Sequence, residues 1–181
     1  MPAGRYIEPK EIREAIVVCL SDENRIQGIR DAAVLAFMYG VGARREEVVS
    51  LVYDSFNSDY TMVTIYGKGR KERKVPVPSS VQRYLYGWQA THISMSPVDL
   101  TPQSPFFVAV RKNGSLGDTH LTTTTIWNVV VERFKQAGLK PVSPHSFRRS
   151  MATNYLDQGE NEGTVASIGG WASVQLVQRY N

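Results

Sequence analysis

The sequence predicts an α+β fold that is mostly α-helical and contains a small antiparallel sheet. Apolar residues recur at helical spacing near both ends of the chain. Between them, Val52 to Phe56 and Tyr60 to Tyr66 are rich in β-branched and aromatic residues, and Asn57-Ser58-Asp59 supplies a turn. The length of 181 residues suits one domain, so we expect a single domain over residues 1–181.

The composition excludes several classes of protein. Hydrophobic residues make up 42% of the chain and charged residues 21%, which is ordinary for a globular domain and argues against disorder of the whole chain. The net charge of +4 makes a polyanionic partner more plausible than a cationic one. The single cysteine, Cys19, excludes an intramolecular disulfide and a multi-cysteine metal cluster. No apolar run approaches the roughly 18–20 residues of a membrane span, so we expect no membrane partner.

The helices are predicted from apolar spacing, caps and breaks. Pro9 suits the first turn of the first helix, and Gly40 and Gly42 should end the second. The predicted helices include Ile12 to Cys19, Ile29 to Phe37, Arg44 to Leu51, a helix after Ser79 or Ser80 that includes Trp88, Thr122 to Gln136, His145 to Leu156, Asn161 to Ile168 and Val174 to Tyr180.

The remaining segments are predicted as a sheet, a loop and core aromatics. Two or three strands should form from the β-rich runs and Val75 to Pro78, whereas Thr91 to Gln103 is loop-like. We expect four aromatic residues in the core: Trp88, Phe106, Phe107 and Trp127. We expect two histidines, His92 and His120, at the surface or in loops.

Four groups of polar residues have no evident role in a core. Arg44 and Glu47 are three residues apart on one helix face. An arginine at a helix start opposes the helix dipole, and a bound anion would compensate for this cost. Five of the seven residues from Lys68 to Lys74 are basic, in a glycine-bearing loop. Each group alone is also typical of a solvated surface.

The other two groups lie near the end of the chain. His145 and Arg148 share a helix face at i, i+3, and histidine can exchange protons while arginine presents a planar fork to phosphate oxygens. Trp171 follows a double glycine, and Tyr180 follows nine residues later. On a continuous helix these two rings would point to opposite faces. Either the segment bends so that both serve one site, or Tyr180 is delivered to the site of another subunit.

In this order and spacing, the four groups resemble the catalytic domain of the tyrosine site-specific recombinases, also called phage integrases. The resemblance covers about residue 10 to the end. Its motifs are a G-x-R-x-x-E turn, a GKG hairpin, an HxxR, a Gly-Trp or Gly-His pair and a final tyrosine. The corresponding residues are Gly42, Arg44, Glu47, Lys68, His145, Arg148, Trp171 and Tyr180. Arg45 and Glu46 depart from the usual apolar residue and serine, and Trp171 stands where histidine is commoner.

The resemblance implies site-specific DNA cleavage and rejoining through a 3′-phosphotyrosine intermediate, without a metal or another cofactor. Tyr180 would be the nucleophile, Arg44 and Arg148 the phosphate clamp, His145 a proton carrier and Lys68 the acid for the leaving group. Trp171 would hold the phosphate through a hydrogen bond donated by its indole N–H, and Glu47 would orient a neighbour such as His145. The predicted contacts to the DNA backbone are Arg70, Lys71, Arg73, Lys74 and Arg149.

The resemblance also implies a setting. Full-length relatives add an N-terminal core-binding domain and a C-terminal tail, and both are expected to be absent from this chain. We expect double-stranded DNA as partner, a tetramer on DNA for the full-length form and a monomer for this chain, in the cytoplasm near the nucleoid of a bacterial, phage or other mobile-element host cell. Two alternatives remain: relaxation of DNA like a type IB topoisomerase, and a relative that binds DNA without cutting it.

Overall fold

The computed structural model describes residues 4–180, and within this range it is a helical domain with two small hairpins. Residues 1–3 and Asn181 of the predicted domain lie outside the described residues. The helices are α1 (Pro9–Leu20), α2 (Arg25–Val41), α3 (Arg45–Val49), α4 (Ser79–Met95), α5 (Thr123–Gln136), α6 (Pro144–Asp157), α7 (Glu162–Gly169) and α8 (Val174–Val177). The strands are β1 (Met62–Tyr66), β2 (Glu72–Pro76), β3 (Val108–Val110) and β4 (Leu116–His120). The predicted α+β class is confirmed.

Helix α2 lies at the centre of the fold. It is buried on nearly every side, and it packs against α1, α4, α5 and α6. A helix that is apolar around most of its circumference belongs in a core, and Leu35, Phe37 and Met38 are fully buried here. The Asn24 side chain caps the start of α2 by accepting a hydrogen bond from the Gln27 N–H.

A buried ion network ties α2 to α5. Asp31 on α2 accepts hydrogen bonds from Arg30 and from Arg133, whose Nη2 lies 2.7 Å from Asp31 Oδ2. The same Nη2 also lies 2.6 Å from Asp22 Oδ2. Each buried charge in this cluster therefore has an opposite charge beside it, which burial requires.

The sheet prediction needs two corrections. The run Val52 to Phe56 is not a strand: it forms a 3₁₀ turn, Tyr53–Ser55, between two isolated bridges, Val52↔Pro105 and Phe56↔Val63. Its aromatic rings pack into the core, where the Phe56 ring lies 4.7 Å from that of Phe106, instead of covering a sheet face. The second hairpin, β3–β4, is an addition to the predicted sheet. Strand β3 has only three residues, and its register with β4 is irregular.

The predicted boundaries also need correction in places. Helix α2 runs through Gly40 and ends at Gly42, which has a left-handed φ of 69°. Helix α4 extends to Met95, into the segment predicted as a loop. No helix in residues 4–180 is both long and apolar enough to cross a membrane.

Two predictions about aromatic side chains were wrong. Trp127 is 38% exposed and lies under the guanidinium of Arg45, whose Cζ is 5.3 Å from the indole centroid. His92 is buried, stacks on Trp88 and lies with Nδ1 2.9 Å from Tyr53 Oη. Its burial lowers the pKa of His92 below the usual value, so the imidazole is neutral in the core. The burial of Trp88, Phe106 and Phe107 and the exposure of His120 are confirmed.

Candidate active site

Arg148 is the buried centre of the candidate site. It lies one turn into α6, is 5% exposed, and donates hydrogen bonds to the carbonyl oxygens of Gly42 and Gly169. Its Cζ lies 4.5 Å from the centroid of the Trp171 indole. Burial, together with the charge of Arg44, lowers the pKa of Arg148 to about 10. The guanidinium is therefore still protonated at neutral pH.

Arg44 lies at the start of α3 and is oriented by Glu47. Glu47 Oε2 accepts a hydrogen bond from the Arg44 backbone N–H at 2.8 Å, and Oε1 accepts one from Nη1 at 3.1 Å. The Arg44 side chain is 41% exposed, whereas that of Glu47 is 3% exposed. The arginine is thus held from behind by a buried carboxylate and remains open to an anion from solvent.

Glu47 also binds Arg73 of β2. The two side chains form a bidentate pair, with distances of 2.8 Å from Nη1 to Oε1 and 2.9 Å from Nη2 to Oε2. Burial alone would raise the pKa of Glu47, but the hydrogen bonds and charges of Arg73 and Arg44 outweigh it and lower the pKa below its usual value. Glu47 is therefore ionised, and its partners are these two arginines instead of His145.

The C-terminal end of α7 brings three arginines together. The carbonyls of Ile168, Gly169 and Gly170 face the guanidinium groups, at 2.9 Å from Arg73 Nε, 2.9 Å from Arg148 Nη2 and 3.5 Å from Arg44 Nη2, respectively. The last carbonyls of a helix lack intrahelical partners and form the negative end of its dipole. This helix end therefore offsets part of the repulsion among the clustered cations.

Trp171 and Tyr180 meet because the chain bends between them, as the sequence predicts. Helix α7 ends at Gly170, just before Trp171. Between the two aromatic residues, the extended backbone of Ser173 interrupts the helix, and the short α8 then leads into a 3₁₀ turn, Gln178–Tyr180. The two ring centroids are 5.6 Å apart. Tyr180 is half-buried. The tyrosine thus packs against Trp171, which also contacts Arg148 of the same chain.

Lys68 lies at the tip of the β1–β2 hairpin. The Gly67 N–H donates to the Lys71 carbonyl at 2.8 Å, and Gly69 and Arg70 both have positive φ, which closes a tight loop. Lys68 is exposed, and within residues 4–180 its amine has no hydrogen-bond or ion-pair partner. The lysine is therefore available to a ligand bound across the site.

His145 occupies the first turn of α6, three residues before Arg148. It is exposed while Arg148 is buried, and both lie on the side of α6 that the i, i+3 spacing defines. Ser143 and Pro144 fix this helix start: the Ser143 N–H donates to Ser146 Oγ at 3.1 Å, and Pro144 occupies the first turn.

Comparison with known proteins agrees with this geometry. The model of the phage integrase family matches residues 5–181. The chain belongs to the phage integrase family. Among its relatives, tyrosine recombinase XerD of Chlorobaculum tepidum is 32% identical over 154 residues, covering 84% of this chain and 48% of the relative. Tyrosine recombinase XerA of Pyrococcus furiosus is 30% identical over 177 residues, covering 97% of this chain and 56% of the relative.

Solved structures give the same fold. A crystal structure of XerA recombinase is similar with a TM-score of 0.80 and 25% identity, covering 97% of this chain and 59% of that one. XerH site-specific recombinase bound to difH substrate, in a pre-cleavage complex, shares the fold with a TM-score of 0.75 at 21% identity, covering 99% of this chain and 50% of that one. The chain spans about half the length of the curated relatives it matches.

Contacts link five of the predicted motif residues, Arg44, Glu47, Arg148, Trp171 and Tyr180, whereas two of the predicted DNA contacts are occupied inside the protein. Arg73, predicted to contact phosphates, is only 12% exposed and is occupied by Glu47 and Ile168. Arg149 donates from Nη1 to the Gly4 carbonyl at 3.1 Å, and its Nε is buried without a partner among the described residues. Arg70, Lys71 and Lys74 are exposed, as a DNA contact requires.

One signal in the sequence could have assigned Arg73 correctly. Strand residues alternate between two faces, and Arg73 lies two residues before Val75, which is fully buried. Its partner across the hairpin is Ile65, which is also buried. The predicted role of Glu47 toward His145 could not have been corrected in this way, because the pairing of Glu47 with Arg73 joins residues distant in the sequence.

Within residues 4–180, no group of three or more histidine, cysteine, aspartate or glutamate side chains is arranged to hold a metal ion. The predicted cations of the site are Arg44, Arg148 and Lys68. Of these, Arg44 pairs with the carboxylate of Glu47, which is shared with Arg73. The arrangement is suited to binding a phosphate between two guanidinium groups, next to a phenol.

Proposed function

We propose that this chain breaks and rejoins DNA at specific sites through a 3′-phosphotyrosine intermediate. The observation that carries the proposal is that Arg148 and Tyr180 both pack against Trp171, near Arg44, whose side chain is 41% exposed. Family membership supports it further. Double-stranded DNA is the partner, and the DNA-bound state of the XerH relative supports that choice.

In the first step, Tyr180 Oη attacks the scissile phosphorus, and a P–O bond to tyrosine forms. The bond from phosphorus to the 5′-oxygen breaks at the same time. His145 takes the phenol proton or exchanges it with a nonbridging oxygen, and Lys68 gives a proton to the departing 5′-oxygen. In the second step a 5′-hydroxyl gives its proton to Lys68 and attacks the phosphotyrosine. The P–O bond to tyrosine breaks, Tyr180 regains its proton from His145, and the DNA backbone is restored.

Arg44 and Arg148 stabilise the negative charge that develops on the nonbridging oxygens. Both are held by fixed acceptors, so little reorganisation is needed when the charge develops. Trp171 contributes an indole N–H and packs against Arg148. The clamp is complete from side chains alone, and the proposal involves no metal or other cofactor.

The exposed cations of the hairpin, Arg70, Lys71 and Lys74, contact phosphates outside the scissile position and set the register of the protein on the duplex. Assembly into a tetramer on DNA is proposed for a full-length form, with this chain alone a monomer that binds DNA weakly. The setting we propose is the cytoplasm, at the nucleoid of a bacterial, phage or other mobile-element host cell.

The test uses a pool of duplexes with random central sequence, each nicked next to the position to be cleaved. Cleavage releases a short fragment, so the phosphotyrosine cannot be reversed and the protein stays attached to DNA in denaturing gels. At low salt the wild-type chain should form this adduct, and sequencing the trapped DNA gives the target site. Tyr180→Phe should form none, whereas Tyr86→Phe, which changes an exposed tyrosine on α4, should behave as wild type. A wild-type chain without adduct, or equal adduct from Tyr180→Phe, refutes the proposal.

A further inference from the structure

We propose that Arg73 is a positioning residue that holds Lys68 over the scissile phosphate. It does so by fixing the β1–β2 hairpin to Glu47 and to the end of α7. The inference rests on the proposed function, because it assigns to Arg73 an effect on the step in which the 5′-oxygen leaves.

The Arg73 guanidinium is fixed in position and in orientation. Its Nη1 and Nη2 bind the two oxygens of Glu47 at 2.8 and 2.9 Å, and its Nε binds the Ile168 carbonyl at 2.9 Å. Three charge-assisted hydrogen bonds in one plane leave the side chain little freedom. Arg73 thereby connects β2, α3 and α7.

Arg73 is also the polar anchor of the hairpin tip. Within the described chain, no other side chain from Lys68 to Lys74 forms a hydrogen bond or an ion pair, and the tip residues are exposed. The nearest buried anchors are Ile65, opposite Arg73, and Val75. A two-stranded hairpin is marginally stable without further packing, so loss of Arg73 would release the tip that carries Lys68.

Two glycines show how closely the guanidinium fits between parts of the site. A Cβ on Gly67, the residue before Lys68, would lie 3.9 Å from Arg73 Nη1 and 3.9 Å from Glu47 Oε1. A Cβ on Gly170, the residue before Trp171, would lie 2.9 Å from Arg73 Nη1. The guanidinium thus lies between the backbone that presents Lys68 and the backbone that presents Trp171.

Lysine could replace the charge of Arg73 but not its geometry. An ammonium group is a point charge that cannot bind both Glu47 oxygens and the Ile168 carbonyl in one plane. Arg73→Lys should therefore keep the fold and the ionised Glu47 while it loosens the hairpin. This conservative variant is the informative one, because Arg73→Ala leaves Glu47 with one partner fewer and could unfold the region.

The experiment asks whether Arg73 acts through Lys68. The DNA recovered from the nicked pool is made in two forms, one with the normal 5′-oxygen and one with sulfur in that bridging position. A thiolate leaves without protonation, so a defect in the acid disappears on the sulfur substrate, whereas a defect in the phosphate clamp persists. Single-turnover rates of adduct formation are measured for wild type, Lys68→Ala, Arg73→Lys and Glu72→Gln, the last changing the exposed neighbour of Arg73.

Loss of a general acid costs about 10²- to 10⁴-fold, which is the expected defect of Lys68→Ala on the oxygen substrate. Arg73→Lys should lose at least about tenfold on oxygen, an energy of about 1.4 kcal/mol in the barrier. Both variants should come within about threefold of wild type on sulfur, and Glu72→Gln should match wild type on both substrates.

Three results would overturn the inference: an equal defect of Arg73→Lys on both substrates, no defect of Arg73→Lys on either, or no rescue of Lys68→Ala by sulfur. Each of these leaves the proposed function standing as long as the wild type forms its Tyr180 adduct. Absence of that wild-type adduct on both substrates instead refutes the proposed function itself. Thermal unfolding of Arg73→Lys, expected to remain cooperative, confirms that a folded protein is being compared.

Discussion

The guanidinium of Arg148 and the indole of Trp171 are stacked, with Cζ 4.5 Å from the ring centroid. Tyr180 packs against the same indole at 5.6 Å between ring centroids. Trp171 is therefore the surface on which a clamp arginine and the proposed nucleophile are both positioned. Its contribution divides into an aromatic ring and an N–H donor, and variants can separate the two.

Replacement of Trp171 should show which of these properties cleavage needs. Trp171→His keeps an aromatic ring and an N–H donor, whereas Trp171→Phe keeps only the ring. We expect Trp171→His to form the covalent adduct within about tenfold of the wild-type rate and Trp171→Phe to be slower, by about the 1.5–3 kcal/mol of a hydrogen bond to a charged group. Single-turnover cleavage assays measure this. Faster cleavage by Trp171→Phe than by Trp171→His would mean that the N–H is not used.

Gly169 should tolerate no side chain. A Cβ there would lie 1.9 Å from Cζ3 of Trp171, so Gly169→Ala must displace the indole from Arg148 and Tyr180. We expect a strong loss of cleavage with the domain still folded. Gly87→Ala is the matched control, because a Cβ at this exposed position of α4 meets nothing within 4 Å. It should stabilise the protein by about 0.4–1 kcal/mol and leave cleavage unchanged. Wild-type cleavage by Gly169→Ala would contradict the packing described here.

The ionised state of Glu47 predicts how stability depends on pH. The pKa of Glu47 is lowered from its usual value of 4.5, so the folded state holds its proton less tightly than the unfolded chain. The stability that this provides is fully present above about pH 4.5 and is lost as the pH falls through the folded pKa. Glu47→Gln should be less stable than wild type by about 3–5 kcal/mol near pH 7, because it leaves Arg44 and Arg73 without their shared partner.

Urea unfolding of both proteins between neutral and acidic pH measures this difference. The difference in free energy of unfolding between wild type and Glu47→Gln should become smaller below about pH 4.5. Glu11, whose pKa is lowered by its hydrogen bonds to Arg5, remains in both proteins, so its effect cancels. A gap that is independent of pH would show that the charge of Glu47 contributes nothing.

The salt dependence of DNA binding should distinguish cations that are exposed to solvent from cations that bind other groups of the protein. Lys71 is exposed on the hairpin, and Lys71→Gln should weaken binding to all sequences and reduce the slope of log K against log salt by about 1. Arg149 is bound to the Gly4 carbonyl, so Arg149→Gln should leave the slope unchanged. Fluorescence anisotropy over a salt series measures both. Equal slopes for Lys71→Gln and wild type would place the hairpin away from the DNA.

The helices could be predicted from the sequence because local signals define them. Asn24, Thr122 and Asn161 each cap a helix with a side-chain oxygen, and Gly42 and Gly170 end helices in the left-handed region. The failures lie where tertiary contacts outweigh local propensity. The run Val52 to Phe56 has strand composition, yet its aromatic rings enter the core and its backbone forms only isolated bridges.

The site could be predicted as a set of residues but not as a network. Order and spacing led to Arg44, His145, Arg148, Trp171 and Tyr180, and a break in the helix between the last two followed from helix geometry. The pairing of Glu47 with Arg73 could not be predicted, because the composition of a basic run does not indicate which of its side chains is buried. Arg73 shows its role only through strand alternation, whereas the basic composition of Lys68 to Lys74 is typical of an exposed loop.

The end of α7 holds its arginines with carbonyl oxygens that every amino acid possesses. Substitution at position 168, 169 or 170 changes a side chain without deleting an acceptor, whereas Glu47→Gln changes the acceptor itself. A point mutation therefore cannot remove these three carbonyl acceptors, although it can move them by changing the shape of the turn. A single substitution removes the carboxylate of Glu47, whereas the acceptors at the end of α7 are lost only if a substitution distorts the backbone.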